Sequence, residues 1–414
     1  MSEYQQTLIA RPLYLDVLEG YIDVPLVKIL AGIRRCGKST ILEMFKHELV
    51  ARGIGSEHIV TRRYTSLDIP ETFTVRDMYE DLKQAMHRGG RYYLLLDEVQ
   101  EVEGWEKAVN TLLEEGRADI YISGSNSRLS AGEISTYLTG RYVQIPVYTL
   151  SYAEYLDFKK NNRPDERNLL AEYLRFGGFP IIAAGTFTEQ TAYQIVEGIY
   201  HSIISGDIAR RHAIGSQDLF DRTVRFIVEN VGKTFSANSI VTFLKNEKRS
   251  LSVEAIYNYI SYLEKAFIVY RCKRYDLQGK NILKTQEKFY IADPSLKYCM
   301  FGFNPGGLAA MLENVVYFEL KRRGYDVYIG KLGDKEIDFV AKKRDERIYV
   351  QVCRNLPENS DREIANLLAV KDHYPKLVVT LDDLAGGTVE GVRLVHLEDF
   401  LLNRSYSSAL PGLR

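Results

Sequence analysis

Eight consecutive residues near the N-terminus, GIRRCGKS from Gly32 to Ser39, have the types and spacing of a phosphate-binding loop. They match the pattern G-x-x-x-x-G-K-[ST] without a mismatch. Glycines let backbone N–H groups converge on phosphate oxygens, while Lys38 reaches the β- and γ-phosphates and Ser39 ligates Mg²⁺. The pattern therefore predicts binding of ATP with Mg²⁺. The predicted nucleotide contacts are Gly32, Arg34, Arg35, Cys36, Gly37, Lys38, Ser39 and Thr40.

Two acids end an apolar stretch further along the chain, YYLLLDE from Tyr92 to Glu98. In a parallel sheet such a strand ends beside the phosphate-binding loop, so Asp97 can hold Mg²⁺ through water. Glu98 can then orient and polarise the attacking water. The alternative is a strand that merely ends in exposed acids. Together with the loop, the two acids favour a hydrolysing ATPase over a passive nucleotide binder.

Small polar residues follow a third predicted strand, Ala118–Ser123. Ser125 and Asn126 are candidates for sensing the γ-phosphate, and a turn rich in Ser and Asn is the alternative.

These residues need a strand, a loop and a helix in that order, and the flanking sequence supplies them. Leu26–Ala31 is a short apolar run suited to a buried strand. Thr40–Val50 follows with apolar residues at helical spacing, as expected for a helix that packs on a sheet. The sequence thus predicts an α/β fold around the loop.

The order of these motifs resembles that of the AAA+ ATPases. Nearly the whole chain is similar to a prokaryotic family of predicted ATPases known as "ATP-binding protein". The resemblance is carried by GIRRCGKS, LLLDEVQ, ISGSNS, LTGRY, FGGFP, DIARR, LEN and EIDFVA. It implies a parallel AAA+ sheet with helices on both faces, then a helical and winged-helix domain, then a restriction-endonuclease-like α/β domain. The expected bounds are 1–150, 151–305 and 306–414.

The resemblance also singles out Arg141, in the Thr-Gly-Arg step after the third strand. Oligomeric AAA+ enzymes use an arginine to contact the γ-phosphate bound by a neighbouring subunit, where it stabilises transition-state charge. Arg128 is a rival for this role, and a surface arginine in a loop is the alternative. The resemblance thus predicts a homo-oligomer.

The pattern from residue 236 to 292 indicates a winged helix. Ser236–Leu244 and Ser252–Ala266 are predicted helices, and Phe267–Tyr275 and Lys288–Ala292 are predicted strands of a hairpin. Residues 245–297 contain eleven Lys or Arg and six Asp or Glu, which favours contact with DNA phosphates. The predicted contacts are Lys273, Arg274, Lys280 and Lys284.

The second of these helices is poorly suited to recognising DNA bases, because its exposed positions carry almost no Lys or Arg. We therefore expect DNA contact through backbone and shape. The alternatives are a protein-docking module, a lid of the ATPase, or a solvated basic face.

The last domain matches the nuclease-like pattern incompletely. Glu313, Asp338 and Gln351 fall at its metal-binding positions, but Cys353 stands where the pattern has a lysine. A thiol cannot supply the fixed positive charge of that lysine. We therefore expect a degenerate nuclease fold, unless Lys331, Lys335 or Lys342 substitutes from a neighbouring strand.

Composition limits the remaining possibilities. The chain has 414 residues, of which 45% are hydrophobic, as expected for a soluble protein of two or three domains. Its four cysteines are far apart and indicate neither a disulfide framework nor a zinc site. The residues after Met1 are polar and no apolar run could span a membrane, so a cytoplasmic location is expected. The net charge of −1 gives no argument for nucleic acid.

The combined interpretation is Mg²⁺-dependent ATP hydrolysis that changes how the later domains engage DNA or a protein. One alternative is a metal-dependent DNA nuclease gated by ATP. The other is a slow ATP-binding switch that recruits a protein partner.

Overall fold

The computed structural model describes residues 8–125, 135–160, 168–212, 214–356, 361–382 and 385–404, with the side chains of 135, 136, 284–286 and 361–363 left out. The chain divides into two compact units. The first comprises Met1–Thr149 with Lys265–Phe267, and the second comprises Leu150–Glu264 with Ile268–Arg414. None of the helices within the described ranges is long and apolar enough to cross a membrane.

A parallel sheet of five strands forms the centre of the first unit. Its strands are β1 (Val27–Ala31), β2 (Ile59–Arg63), β3 (Tyr92–Asp97), β4 (Ala118–Gly124) and β5 (Tyr142–Pro146). Its helices are α1 (Pro12–Glu19), α2 (Lys38–Ala51), α3 (Val75–Ala85), α4 (Trp105–Glu114) and α5 (Ser135–Leu138). The strand order is β2-β3-β4-β1-β5, and each neighbouring pair is parallel. This arrangement confirms the predicted P-loop α/β fold class.

Helices cover both faces of this sheet, because side chains alternate between the two faces along each buried strand. On one face Leu94 of β3 packs in a core with Leu82 of α3 and Val109 of α4. On the other face the ring centroid of Phe45 in α2 lies 4.7 Å from that of Tyr121 in β4. Burial on both faces explains why these strands are almost continuously apolar.

The second unit begins with helices, as expected of the helical part of the predicted domain at residues 151–305. Its helices are α6 (Tyr152–Lys160), α7 (Leu169–Phe176), α8 (Pro180–Ala184), α9 (Glu189–Ile203), α10 (Gln217–Glu229), α11 (Ala237–Asn246), α12 (Val253–Lys265), α13 (Ser295–Phe301), α14 (Leu308–Arg322), α15 (Asp361–Leu368) and α16 (Leu397–Leu401). Ser236 caps α11, since its hydroxyl accepts a hydrogen bond from the N–H of Ser239 at 3.2 Å.

A mixed sheet of eight strands completes the second unit. Its strands are β6 (Val269–Asp276), β7 (Asn281–Ile291), β8 (Asp326–Leu332), β9 (Lys335–Lys343), β10 (Glu346–Cys353), β11 (Lys376–Thr380), β12 (Thr388–Val389) and β13 (Val392–His396). The order is β12-β13-β11-β10-β9-β8-β6-β7. On one face Tyr317 of α14 stacks on Tyr290, with ring centroids 4.5 Å apart. On the other, Leu367 of α15 joins a core with Tyr349 and Val378.

The hairpin β6–β7 follows α11 and α12 in the order expected of a winged helix, but it is also part of the eight-stranded sheet. β6 pairs with β7 in antiparallel fashion and with β8 in parallel fashion. The hairpin therefore shares one sheet with the strands of the predicted third domain. The domain bounds at residues 150 and 305 remain a prediction.

The FGGFP segment is fixed by a buried aspartate. Asp293 Oδ2 accepts a hydrogen bond from the N–H of Gly178 at 2.7 Å, and its Oδ1 accepts one from the N–H of Ser295 at 3.0 Å. Gly177 has φ 73°, and a Cβ there would lie 1.6 Å from Asp293 Oδ1. Steric exclusion therefore requires glycine at the start of this turn.

Candidate active site

The loop between β1 and α2 has the backbone shape that phosphate binding requires. Gly37 lies in the left-handed region with φ 100°, and α2 begins at the next residue, Lys38. A Cβ at Gly32 would lie 2.0 Å from the carbonyl oxygen of Val147, so this position also requires glycine. The N-terminus of α2 thus adjoins a tight loop, an arrangement that suits an anion.

The side chain of Lys38 lies within this loop and is only 4% exposed. Its Nζ donates hydrogen bonds to the carbonyl oxygens of Gly32 at 2.8 Å and Ile33 at 3.0 Å. Buried side chains of α2, including Ile41 and Phe45, fix the helix from which Lys38 projects. The ammonium is therefore held in place, with acceptors that phosphate oxygens could replace.

Asp97, at the carboxyl end of β3, lies beside the loop and is 6% exposed. The Ser39 hydroxyl donates to Asp97 Oδ1 at 3.0 Å, and the Ser123 hydroxyl donates to the same oxygen. Arg63 Nε lies 3.4 Å from Asp97 Oδ2. The parallel register places these groups at one sheet edge, because it pairs Arg63 with Asp97 and ends β4 next to β1.

Glu98 follows with a left-handed backbone, φ 54°, which turns its side chain out of the strand pattern. Its Oε2 accepts a hydrogen bond from the Ser125 hydroxyl at 3.2 Å and one from Gln100 Nε2. The structure therefore brings Ser125 to the carboxylate of Glu98. The other predicted sensor, Asn126, lies outside the described residues.

Several residues near this site were missed by the sequence interpretation. Arg11 is 2% exposed, and its guanidinium donates to the carbonyl oxygens of Cys36 at 2.8 Å and Tyr148 at 3.1 Å. It braces the loop from a segment without any motif, so no sequence signal indicates it. Ser123 did carry a signal, because it is a polar residue at the end of a buried strand.

The other residues of the first unit that were predicted to act on the nucleotide differ in their exposure. Arg35 and Thr40 are exposed, Arg34 is half-buried and Cys36 is buried. Arg141 is half-exposed, and its Nη1 lies 2.6 Å from Glu114 Oε1. The structure therefore leaves Arg141 at the surface, in an ion pair within its own chain.

Two of the nuclease-like candidates, Glu313 and Asp338, meet around Lys288, which the sequence interpretation did not assign to this site. Lys288 Nζ lies 3.3 Å from Glu313 Oε2, 3.0 Å from Glu336 Oε1 and 3.7 Å from Asp338 Oδ1. Burial lowers the pKa of Lys288, but the three carboxylates outweigh burial and raise it above its usual value. Burial also raises the pKa of Glu313, against the opposing effect of Lys288.

Two of the lysines proposed to substitute at this cluster make other contacts. Lys335 Nζ donates to the carbonyl oxygen of Ala365 at 3.4 Å, and Lys342 Nζ lies 4.5 Å from the ring centroid of Tyr275. Gln351 is nearby, since its Oε1 accepts a hydrogen bond from the N–H of Asp338 at 3.3 Å.

The predicted DNA contacts differ in exposure. Lys273 and Lys280 are exposed on the β6–β7 hairpin. The side chain of Arg274 is 12% exposed and its Nη2 lies 3.0 Å from Glu336 Oε2. Lys284 lies in β7, and its side chain is outside the description. Lys273 and Lys280 are therefore exposed on the hairpin, while Arg274 is engaged within the unit.

Comparison with known proteins agrees with this geometry. An AAA domain matches residues 25–156, and a domain of unknown function matches residues 167–306. The Walker-type ATPase paby2304 of Pyrococcus abyssi has a similar fold, with a TM-score of 0.51 and 15% identity over 72% of this chain and 97% of that one. The first unit is thus a P-loop domain of the AAA class.

Two relatives match most of the chain. An uncharacterized protein of Methanocaldococcus jannaschii is 28% identical over 84% of this chain and 79% of its own length. An uncharacterized protein of Haemophilus influenzae is 37% identical over 96% of this chain and 99% of its own length. The chain therefore belongs to the same family as the Haemophilus influenzae protein and carries an AAA domain at residues 25–156.

Proposed function

We propose that the first unit hydrolyses ATP with Mg²⁺ at the edge of its parallel sheet. The observation that carries this proposal is the placement of Lys38 in the loop with Asp97 and Glu98 beside it. The Ser39 hydroxyl lies 3.0 Å from Asp97 Oδ1, so both can approach one hydrated cation bound to the phosphates. Ser39 and Asp97 would hold the Mg²⁺, which neutralises phosphate charge.

Lys38, Glu98 and Ser125 have different roles in the proposed hydrolysis. Lys38 stabilises the negative charge on the β- and γ-phosphates, because its ammonium is fixed inside the loop before ATP arrives. Glu98 orients the attacking water and accepts its proton. Ser125 holds the Glu98 carboxylate through the 3.2 Å hydrogen bond, which makes Ser125 a positioning residue for the water-activating group.

We further propose that hydrolysis is coupled to binding of DNA by the second unit. Lys273 and Lys280 support this, since both are exposed on the hairpin and both can neutralise phosphates. ATP turnover is measured with and without double- and single-stranded DNA. Turnover that rises with DNA supports coupling. Turnover indifferent to DNA refutes it and favours a slow switch that recruits a protein partner.

The double substitution Lys273→Glu/Lys280→Glu should weaken DNA binding equally for unrelated sequences. Loss of two phosphate contacts should reduce the slope of log affinity against log salt by about 2. Fluorescence anisotropy across a salt series measures this slope. Lys371→Glu, an exposed lysine elsewhere in the unit, is the control and should leave it unchanged. An unaltered slope in the double variant would place the DNA surface elsewhere.

Arg141 is proposed to act on ATP bound by a neighbouring copy. Its half-exposed guanidinium pairs with the solvent-facing Glu114 and donates to Asn110 Oδ1, and a surface ion pair of this kind costs little to break. If a neighbouring copy supplies Arg141, specific activity should rise with protein concentration as copies assemble. In Arg141→Ala this rise should be lost while ATP binding is kept. Equal concentration dependence in both proteins would exclude Arg141 from this role.

A further inference from the structure

The carboxylate cluster of the second unit already contains a cation, the ammonium group of Lys288. The side chain is 6% exposed, and Glu313, Glu336 and Asp338 each place an oxygen within 3.7 Å of its Nζ. If this ammonium moved out to solvent, three carboxylates would lose its compensating positive charge. Lys288 is therefore an integral part of the cluster.

Irregular strand pairing places these residues together. The register of β6 and β7 shifts between Cys272 and Arg274, and Lys288 pairs opposite Cys272 where regular pairing resumes. The register of β8 and β9 shifts between Tyr328 and Gly330, opposite the segment that contains Asp338. Such bulges re-aim side chains out of the strict alternation of a strand. The two irregularities lie in the strands that supply Lys288 and Asp338.

Several of the oxygens that a metal could use are engaged by the protein itself. Asp338 Oδ2 accepts a hydrogen bond from the N–H of Val352 at 2.8 Å, and Gln351 Oε1 accepts one from the N–H of Asp338. Tyr290 donates its hydroxyl to Glu313 Oε2 at 3.2 Å. Asp338 Oδ2 and Gln351 Oε1 thus each accept a backbone hydrogen bond, while Tyr290 and Lys288 both contact Glu313 Oε2.

Charge is largely balanced as well. Glu336 lies between two cations, because its Oε1 contacts Lys288 and its Oε2 lies 3.0 Å from Arg274 Nη2. Lys288 and Arg274 thus compensate two of the three carboxylates. Over the described ranges, no three His, Cys, Asp or Glu side chains are grouped in a way that could hold a metal ion. The cluster does not fit the divalent cation that its resemblance to nucleases implies.

We propose that Lys288 is the resident cation of this cluster and that its ammonium keeps divalent metal ions out. This proposal accounts for both Cys353 and Lys288. The nuclease pattern has lost its lysine at position 353, and Lys288, from another strand, occupies the place of the metal cation. The second unit accordingly does not cleave phosphodiester bonds. This inference does not depend on the ATPase proposal, since it concerns different residues in a different unit.

Manganese binding to the nucleotide-free full-length protein tests the proposal. Free Mn²⁺ is measured by electron paramagnetic resonance in the wild-type protein, Lys288→Met, Asp338→Asn and Lys288→Met/Asp338→Asn. Methionine keeps much of the length of lysine and removes its charge. Lys288→Met should gain one Mn²⁺ site at least tenfold tighter than any wild-type site, and the added Asp338→Asn should abolish that gain. Retained ATP binding controls for the integrity of the first unit.

Two results would overturn the proposal. The first is a folded Lys288→Met protein that binds Mn²⁺ no better than the wild type. The second is a wild-type site that Asp338→Asn removes, which would show metal and ammonium side by side and make Lys288 a candidate catalytic lysine.

The comparison of the wild type with Asp338→Asn needs no Lys288 variant, so it tests the proposal even if Lys288→Met does not fold. Equal Mn²⁺ binding by the wild type and Asp338→Asn, without nicking of supercoiled plasmid by either, supports the proposal. Mn²⁺-dependent nicking by the wild type alone overturns it.

Discussion

Replacing Lys38 with alanine should lower kcat/KM for ATP hydrolysis by at least about 10³-fold, because the variant lacks the fixed positive charge at the phosphates. The wild-type ammonium is held by the carbonyl oxygens of Gly32 and Ile33, so it meets the nucleotide without reorganisation. Alanine supplies neither charge nor reach. Steady-state release of phosphate measures the loss, and binding of a fluorescent ATP analogue should weaken in parallel.

Lys46→Ala is the matched control for this prediction. Lys46 belongs to the same helix, and its Nζ lies 3.1 Å from Glu43 Oε1 at the helix surface. Its loss should change stability and turnover little, since surface ion pairs contribute about 1 kcal/mol or less. Turnover in Lys38→Ala equal to that of Lys46→Ala would remove the first unit from consideration as an ATPase.

Glu98→Gln should lower kcat by about 10²–10⁴-fold and leave ATP affinity nearly unchanged. The amide keeps the size of the carboxylate and can still accept a hydrogen bond from Ser125, but it cannot take a proton from water. Single-turnover hydrolysis together with equilibrium binding separates the two effects. A variant that holds ATP without hydrolysing it is therefore expected.

Glu103→Gln tests whether any nearby acid would give the same result. Glu103 is an exposed acid that follows the same strand. It should retain wild-type turnover. If Glu98→Gln and Glu103→Gln behave alike, the water must be activated by another group.

The fold of the first unit could be predicted because its signals are local. GIRRCGKS lies between an apolar strand and an amphipathic helix, and backbone geometry over so short a span depends mainly on its own residues. The parallel sheet followed from the same context. Helix α12 was predicted for the same reason, since it has a periodic pattern of its own.

Partners from distant segments could not be predicted. Arg63 and Ser123 reach Asp97 only because β2 and β4 flank β3 in parallel register. Arg11 braces the loop from outside every motif. The prediction that Arg274 contacts DNA phosphates assumed that its side chain is exposed. Strand pairing instead places its guanidinium beside Glu336.

The sequence by itself determined the phosphate-binding loop, the two acids at the end of β3 and the absence of lysine at position 353. These features are fixed by residue identity at short spacing. The tertiary structure alone decided which side chains surround Asp97 and that Lys288 lies among Glu313, Glu336 and Asp338. The reason is physical: the order of strands and their bulges bring these residues together, and both depend on long-range packing.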